Sequence, residues 1–234
     1  MKRFPLVPGL LVMLLALLAP TLTPAPADAT CVLDPTLTIC TPGIIRNDAC
    51  PVGSNSLVWC PDGDLSLITL TIQVFDTSAL PCPGCPIDVE FRFLGDPDQP
   101  GCDLFICGAT APGFLTLSGV TDAAGEVTFQ ITGGGCGCLE MNWLAFAGGT
   151  IICQGADRFC VKSPDFTGDG AVNFADTFKY LPQLFTSQGY CGDLNCDNTV
   201  NFADTFTYLP HLFGAHVCAG DNVVPTTCTP PSCF

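Results

Sequence analysis

The sequence predicts a mainly β chain, a disulfide-rich β-sandwich followed by a small helical module. Three observations predict it. Apolar and polar residues alternate with period two between Leu65 and Val161. Gly- and Pro-containing turns separate these runs at short intervals. The chain also carries 17 cysteines among 234 residues, a density that suits a fold stapled by disulfides.

Taken in order, the first element is a leader. Lys2 and Arg3 precede the apolar run Leu10 to Leu18, which is too short to span a bilayer. Ala27-Asp28-Ala29 has the small-x-small form of a signal-peptidase site, so residues 1–29 read as a signal peptide cleaved after Ala29. The mature chain is then expected to be secreted or held at the cell surface, with no membrane span. The full chain has 7 basic and 22 acidic residues. Losing Lys2, Arg3 and Asp28 leaves 5 and 21, a net charge of −16. Such a surface repels phosphate backbones and anionic lipids, which excludes nucleic-acid and membrane partners. It suits a protein that binds divalent cations. An exported chain meets an oxidising compartment, so most cysteines are expected in disulfides. Cys82-Pro83-Gly84-Cys85 and Cys136-Gly137-Cys138 raise thiolate metal sites as the alternative. The odd count leaves a thiol that is free or pairs with another chain, and the connectivity stays open.

Residues 30–162 carry the strands. A short piece at Leu37-Thr38-Ile39 comes first. Ile68, Leu70, Ile72 and Val74 then share one face, opposite Leu67, Thr69, Thr71 and Gln73. After a turn region at 76–86, Ile87, Val89, Phe91 and Phe93 alternate with Asp88, Glu90 and Arg92. Further strands are expected at Phe114 to Val120, at Val127, Phe129 and Ile131, at Leu139 to Ala147 and at Ile151 to Val161, with a Gly-rich turn at 133–135. The units LTIQVFD at 70–76, IDVEF at 87–91 and VTDAAGEVTF at 120–129 resemble the strand–turn–strand units of bacterial immunoglobulin-like domains. The resemblance covers roughly residues 36–161 and implies an immunoglobulin-like β-sandwich. The cysteines depart from that family's usual pattern and are expected to add stability, at about 2–4 kcal/mol for each disulfide.

The strongest signal lies in 163–218. Residues 172–185 read VNFADTFKYLPQLF and residues 200–213 read VNFADTFTYLPHLF, an offset of 28 with differences only at Lys179/Thr207 and Gln183/His211. Such identity marks a duplication. Each copy follows an acidic loop. The first runs Asp165, Thr167, Asp169, Gly170, Asn173, Asp176, and the second runs Asp193, Asn195, Asp197, Asn198, Asn201, Asp204. These are positions 1, 3, 5, 6, 9 and 12, the oxygen-ligand spacing of an EF-hand-type calcium loop. Position 7, Ala171 or Thr199, offers a backbone carbonyl. Calcium is a hard cation that takes six to eight oxygens, so the expected cofactor is two calcium ions. Position 6 needs a sharp bend, which Gly170 makes without strain and Asn198 tolerates. Phe174, Phe178, Leu181 and Phe185, and their counterparts Phe202, Phe206, Leu209 and Phe213, fall on one side of each following helix and are expected to pack the two units together. Asn173 and Asn201 suit helix N-caps, and Pro182 and Pro210 are expected to end or kink the helices.

This tandem resembles a type I dockerin, in which two calcium loops ending in Asp, each followed by a helix, form one module. Asp176 and Asp204 match the final position, and Val172 and Val200 match the aliphatic position 8. The resemblance implies docking onto a cohesin or a similar extracellular protein. Positions 10 and 11 are Phe174-Ala175 and Phe202-Ala203, where many dockerins carry Ser or Thr. Positions 17 and 18 are Leu181-Pro182 and Leu209-Pro210, where polar or basic residues are common. Residues 219–234 read as a Cys/Pro-rich tail.

An enzyme is not expected. The two histidines are His211 and His216, and no Gly-x-Ser-x-Gly elbow or phosphate loop occurs. The functional expectation is a non-catalytic calcium-binding assembly or attachment protein. The alternatives are a carbohydrate-binding accessory protein that uses Trp59 or Trp143 on a polysaccharide, and a structural surface protein whose C-terminus calcium only rigidifies.

Overall fold

A computed structural model describes residues 31–95, 102–187, 189–213 and 217–223, with backbone alone at 102 and 103. The expected signal peptide at 1–29 and most of the tail lie outside the described residues. Within them the chain is mainly β and disulfide-rich, with two helices. The strands are β1 (Ile39–Ile45), β2 (Ser56–Val58), β3 (Leu67–Gln73), β4 (Pro86–Gly95), β5 (Cys102–Cys107), β6 (Phe114–Val120), β7 (Glu126–Ile131), β8 (Gly133–Ala147), β9 (Thr150–Lys162) and β10 (Gly220–Asn222). The helices α1 (Phe174–Thr186) and α2 (Phe202–Leu212) lie between β9 and β10.

Two sheets enclose one apolar core. The first is antiparallel in the order β1-β3-β7, with Leu70 opposite Phe129 and Pro42. Pro42 is tolerated because β1 is an edge strand, where a missing N–H breaks no ladder. The second sheet runs β10-β5-β8-β4-β6, with β9 along β8 and β2 parallel to β9. Period two decides what each sheet buries. Ile68, Leu70 and Ile72 of β3 meet Ile87, Val89, Phe91 and Phe93 of β4 and Leu139, Met141 and Ala145 of β8 in one cluster. Trp59 and Trp143 belong to that cluster, so neither indole is an exposed platform.

Four details depart from the sequence reading. Residues 133–135 form the start of β8 rather than a turn, because the absent side chains let other parts of the chain lie against the strand. A Cβ on Gly133 would meet the Phe105 carbonyl, and one on Gly134 would meet the Asp165 carboxylate. β5 and β10 had no alternation to announce them. Both helices continue past Pro182 and Pro210, each losing one intrahelical hydrogen bond, to the Phe178 and Phe206 carbonyls respectively. The fourth concerns helix faces. Phe174, Phe178, Phe185, Phe202, Phe206 and Phe213 are exposed, Phe206 to 80%. The helices instead bury Asp176, Tyr180, Gln183 and Leu184, and Asp204, Tyr208 and His211.

Tyr180 and Tyr208 pack at 4.8 Å between ring centroids, with Phe166 against both. The two copies then exchange hydrogen bonds. The Tyr208 hydroxyl is 2.6 Å from that of Thr177, and the Tyr180 hydroxyl is 2.8 Å from that of Thr205. Tyrosine wins the inner position because its ring fills the space while its hydroxyl finds a partner.

Six disulfides join described residues. Cys31–Cys82, Cys40–Cys153 and Cys138–Cys160 staple the strands. Cys50–Cys196, Cys136–Cys191 and Cys107–Cys218 tie the strands to the segments around the two helices. Cys60 and Cys85 carry free thiols. A fold with this many disulfides belongs to an oxidising, extracellular-type environment. Among the described residues no helix is long and apolar enough to cross a membrane.

Candidate metal centre

The loop before α1 wraps around buried carboxylates. Asp165 Oδ1 accepts from Gly168 N–H at 2.8 Å and from Asp169 N–H at 3.3 Å, and its Oδ2 accepts from Gly170 N–H at 3.0 Å. Gly170 has φ 80°, and a Cβ there would also press on the Phe105 ring and the Cys218 carbonyl. Position 6 of this loop therefore needs glycine above all for space, since the conformation alone also admits asparagine. Asp176 closes the loop. Its Oδ1 accepts from Thr167 N–H at 2.8 Å, and its Oδ2 accepts from Asn173 N–H at 2.7 Å. The Thr167 hydroxyl lies 2.9 Å from Asp176 Oδ1 and 3.2 Å from Asp165 Oδ1, so positions 1, 3 and 12 converge. Asp169 is exposed and accepts from Ala171 N–H, and the Ala171 carbonyl accepts from Asn173 Nδ2. The Asn173 side chain caps α1 in a reciprocal box with Asp176.

Convergence has an electrostatic cost. Burial, and then the charge of Asp176, push the Asp165 carboxyl up to about 7, against the hydrogen bonds from Gly170 and Asp169. Burial likewise raises Asp176 above the usual carboxylate range.

The loop before α2 repeats the frame with different partners. Asp193 Oδ1 accepts from Asp197 N–H at 3.0 Å, and its Oδ2 accepts from Asn198 N–H at 3.2 Å. Asn198 sits at φ 68°, the position-6 conformation again. Asp204 accepts from Asn195 N–H at 3.0 Å and from Asn201 N–H at 2.9 Å. Asn195 Nδ2 donates to Asp197, which also accepts from the N–H and hydroxyl of Thr199. The Thr199 hydroxyl first, then Asn195, hold the Asp197 carboxyl low. Asn201 caps α2 as Asn173 caps α1.

Sequence reasoning missed Lys162. This buried lysine ends β9 and donates from Nζ to the Asp193 carbonyl at 2.8 Å and to Asp193 Oδ2 at 2.7 Å, with the Tyr190 ring 4.5 Å away. Loop 2 thus already holds one cation of the chain's own, whereas the contacts around Asp165 and Asp176 are N–H and O–H groups. The only sequence signal was a lysine beside an acidic loop in a chain with seven basic residues.

The donor set of loop 1 is hard oxygen, converging, buried and self-repelling. That fits a hard divalent cation such as calcium. Loop 2 offers the same donors, with Asp193 shared with Lys162.

No protein-family model matches the chain, and no curated protein matches it. Among solved structures, it is similar to a cohesin module from a family 33 glycoside hydrolase of Clostridium perfringens. That alignment covers 54% of this chain and 98% of the module, at 14% identity and a TM-score of 0.24. So slight a likeness carries no argument about function.

Proposed function

We propose that this is a secreted, non-catalytic calcium-binding protein in which a dockerin-like tandem of EF-hand-type loops presents a helical surface to an extracellular protein partner. In this reading residues 30–162 form an immunoglobulin-like sandwich that the module attaches or assembles. The observation that carries the reading is the convergence of Asp165, Thr167 and Asp176 in a buried loop whose frame recurs at Asp193, Asn195 and Asp204. Asp169, Asn173 and the Ala171 carbonyl would complete the first set, and Asp197, Asn201 and the Thr199 carbonyl the second. Bound calcium would neutralise carboxylates that otherwise repel, and so fix the start of each helix. The phenylalanines that the helices turn outward are the surface such a module would offer, since a large exposed apolar patch marks an interaction site. A polysaccharide face built on indoles has less support, because Trp59 and Trp143 are both buried.

Calcium titration calorimetry on the full disulfide-bonded chain tests the first half. Two ions per chain are expected, falling to one in Asp176→Ala and to one in Asp204→Ala. No calcium uptake would sink the reading. Cohesin capture on the immobilised chain tests the second half. Calcium-dependent retention that is lost in Phe178→Ser/Phe206→Ser supports docking. Two bound ions without retention would leave a calcium-stiffened structural protein.

A further inference from the structure

A second group of metal-ligating side chains lies apart from the calcium loops. After β2 the chain makes a turn in which Gly63 N–H donates to the Cys60 carbonyl at 2.9 Å. Asp64 N–H donates to Asp62 Oδ1 at 3.2 Å, and the Thr132 hydroxyl holds the Cys60 carbonyl at 2.5 Å. The turn CPDGD at 60–64 thereby fixes three potential ligands. α2 brings the fourth. Ligand atoms of Cys60, Asp62, Asp64 and His211 all lie within 4.8 Å of one another.

We propose that Cys60, Asp62, Asp64 and His211 form a tetrahedral site for a zinc-like transition-metal ion, separate from the calcium loops. Distances support it. Zinc binds Cys sulfur at about 2.3 Å and His nitrogen at about 2.0–2.1 Å, which at a tetrahedral angle separates S from N by about 3.5 Å and N from a carboxylate O by about 3.3 Å. Cys60 Sγ is 3.5 Å from His211 Nδ1, and His211 Nδ1 is 3.6 Å from Asp64 Oδ1. The ligand types also fit. A thiolate with an imidazole selects zinc over calcium, and two carboxylates complete the charge. Cys60 and His211 are buried while Asp62 and Asp64 are exposed, so an ion has a way in from solvent. Metal binding displaces the thiol proton to solvent, and the other three ligands need lose none when the imidazole is neutral and the carboxylates ionised. His211 also stands at one of the two positions where the repeats differ, so the second helix alone supplies this ligand.

Cobalt(II) titration of the full chain, with calcium saturating and disulfides intact, tests the site. One cobalt per chain with a thiolate-to-cobalt charge-transfer band is expected, displaced by zinc. Oxygen-only loops give no such band. Loss of a group one layer outside a metal site weakens affinity by about 10–100-fold, so His211→Gln, which restores the residue of the other repeat, should weaken it by at least about tenfold. Cys60→Ser should abolish the band. A calcium-saturated wild-type chain without the band, or a band unchanged by His211→Gln, overturns the proposal. If Cys60→Ser does not fold, His211→Gln decides alone.

Discussion

Asp165 and Asp193 occupy the same position in two copies of one frame, yet they solve the burial of a carboxylate differently. Asp193 takes the Lys162 ammonium. Asp165 takes backbone N–H groups and keeps Asp176 as a like-charged neighbour, and its pKa rises to about 7. In the unfolded chain the same carboxyl ionises near its ordinary value of 3.8. The folded, ion-free chain therefore binds the proton more tightly, and this contribution to stability is full below about pH 4 and lost as pH rises through about 7. In chelator, the thermal midpoint should fall between about pH 4 and about pH 7, and Asp165→Asn, which imitates the neutral acid, should flatten that fall. Each tenfold difference in proton affinity between the folded and unfolded chain is worth about 1.4 kcal/mol, which sets the ceiling on the loss. Calcium should reverse the trend, because the ion needs the ionised form. An equal fall in Asp165→Asn would place the cause in the chain's overall acidity instead.

The helices show how far the sequence was legible. Their existence, their Asn caps and the loop spacing could be read from the duplicated frame. The buried face could not. Period 3.6 selected the phenylalanines as the core stripe, because they are the most apolar residues available. The structure selects Asp176, Tyr180 and Leu184 instead, because Asp176 must close its loop, and that choice fixes the rotation of α1. Tyr208 follows in α2 for the same reason through Asp204. The two assignments predict opposite mutational outcomes. Tyr180→Ala should cost about 3–5 kcal/mol, as expected when a large buried ring is truncated. Phe178→Ser should stay within about 0.5 kcal/mol, as for a surface change. Denaturant unfolding of the two variants decides between them, and the reverse order would restore the phenylalanine core. Among the strands, β3, β4, β6 and β7 were visible by alternation. β5 and the start of β8 were not, because what places them is the close approach of Phe105 and Asp165 to Gly133 and Gly134, which no local pattern encodes.

At the scale of the whole molecule, two segments that read as separate modules are bound into one. Composition and periodicity change near residue 163, but cysteine pairing cannot be read from spacing. Cys136–Cys191 and Cys50–Cys196 end on either side of Asp193, one just before loop 2 and one inside it. Cys50, Cys60 and Val58 then share a cluster with Phe166, Tyr180 and Tyr208. Loop 2 is thus held from outside by two disulfides that end at or in it and by Lys162, whereas loop 1 is held from outside by backbone bonds, from Gly135 N–H to the Asp165 carbonyl at 2.7 Å and from Cys218 N–H to the Gly170 carbonyl at 2.9 Å. This asymmetry makes a prediction that the duplicated sequence alone would not. Removing the Cys136–Cys191 bridge, which closes a separation of 55 residues, should cost on the order of 4 kcal/mol by loop entropy. Its effect on calcium should be unequal, because a loop that loses its external restraint must supply the ordering entropy when the ion binds. In Cys136→Ala/Cys191→Ala, calorimetry should show the affinity of loop 2 reduced on the order of tenfold while loop 1 changes little. Assigning the two sites with Asp176→Ala and Asp204→Ala in the same background makes the comparison direct. An equal loss at both sites would mean that the bridge acts on the whole helical pair, and no loss at either would mean that Cys50–Cys196 and Lys162 suffice to hold the loop.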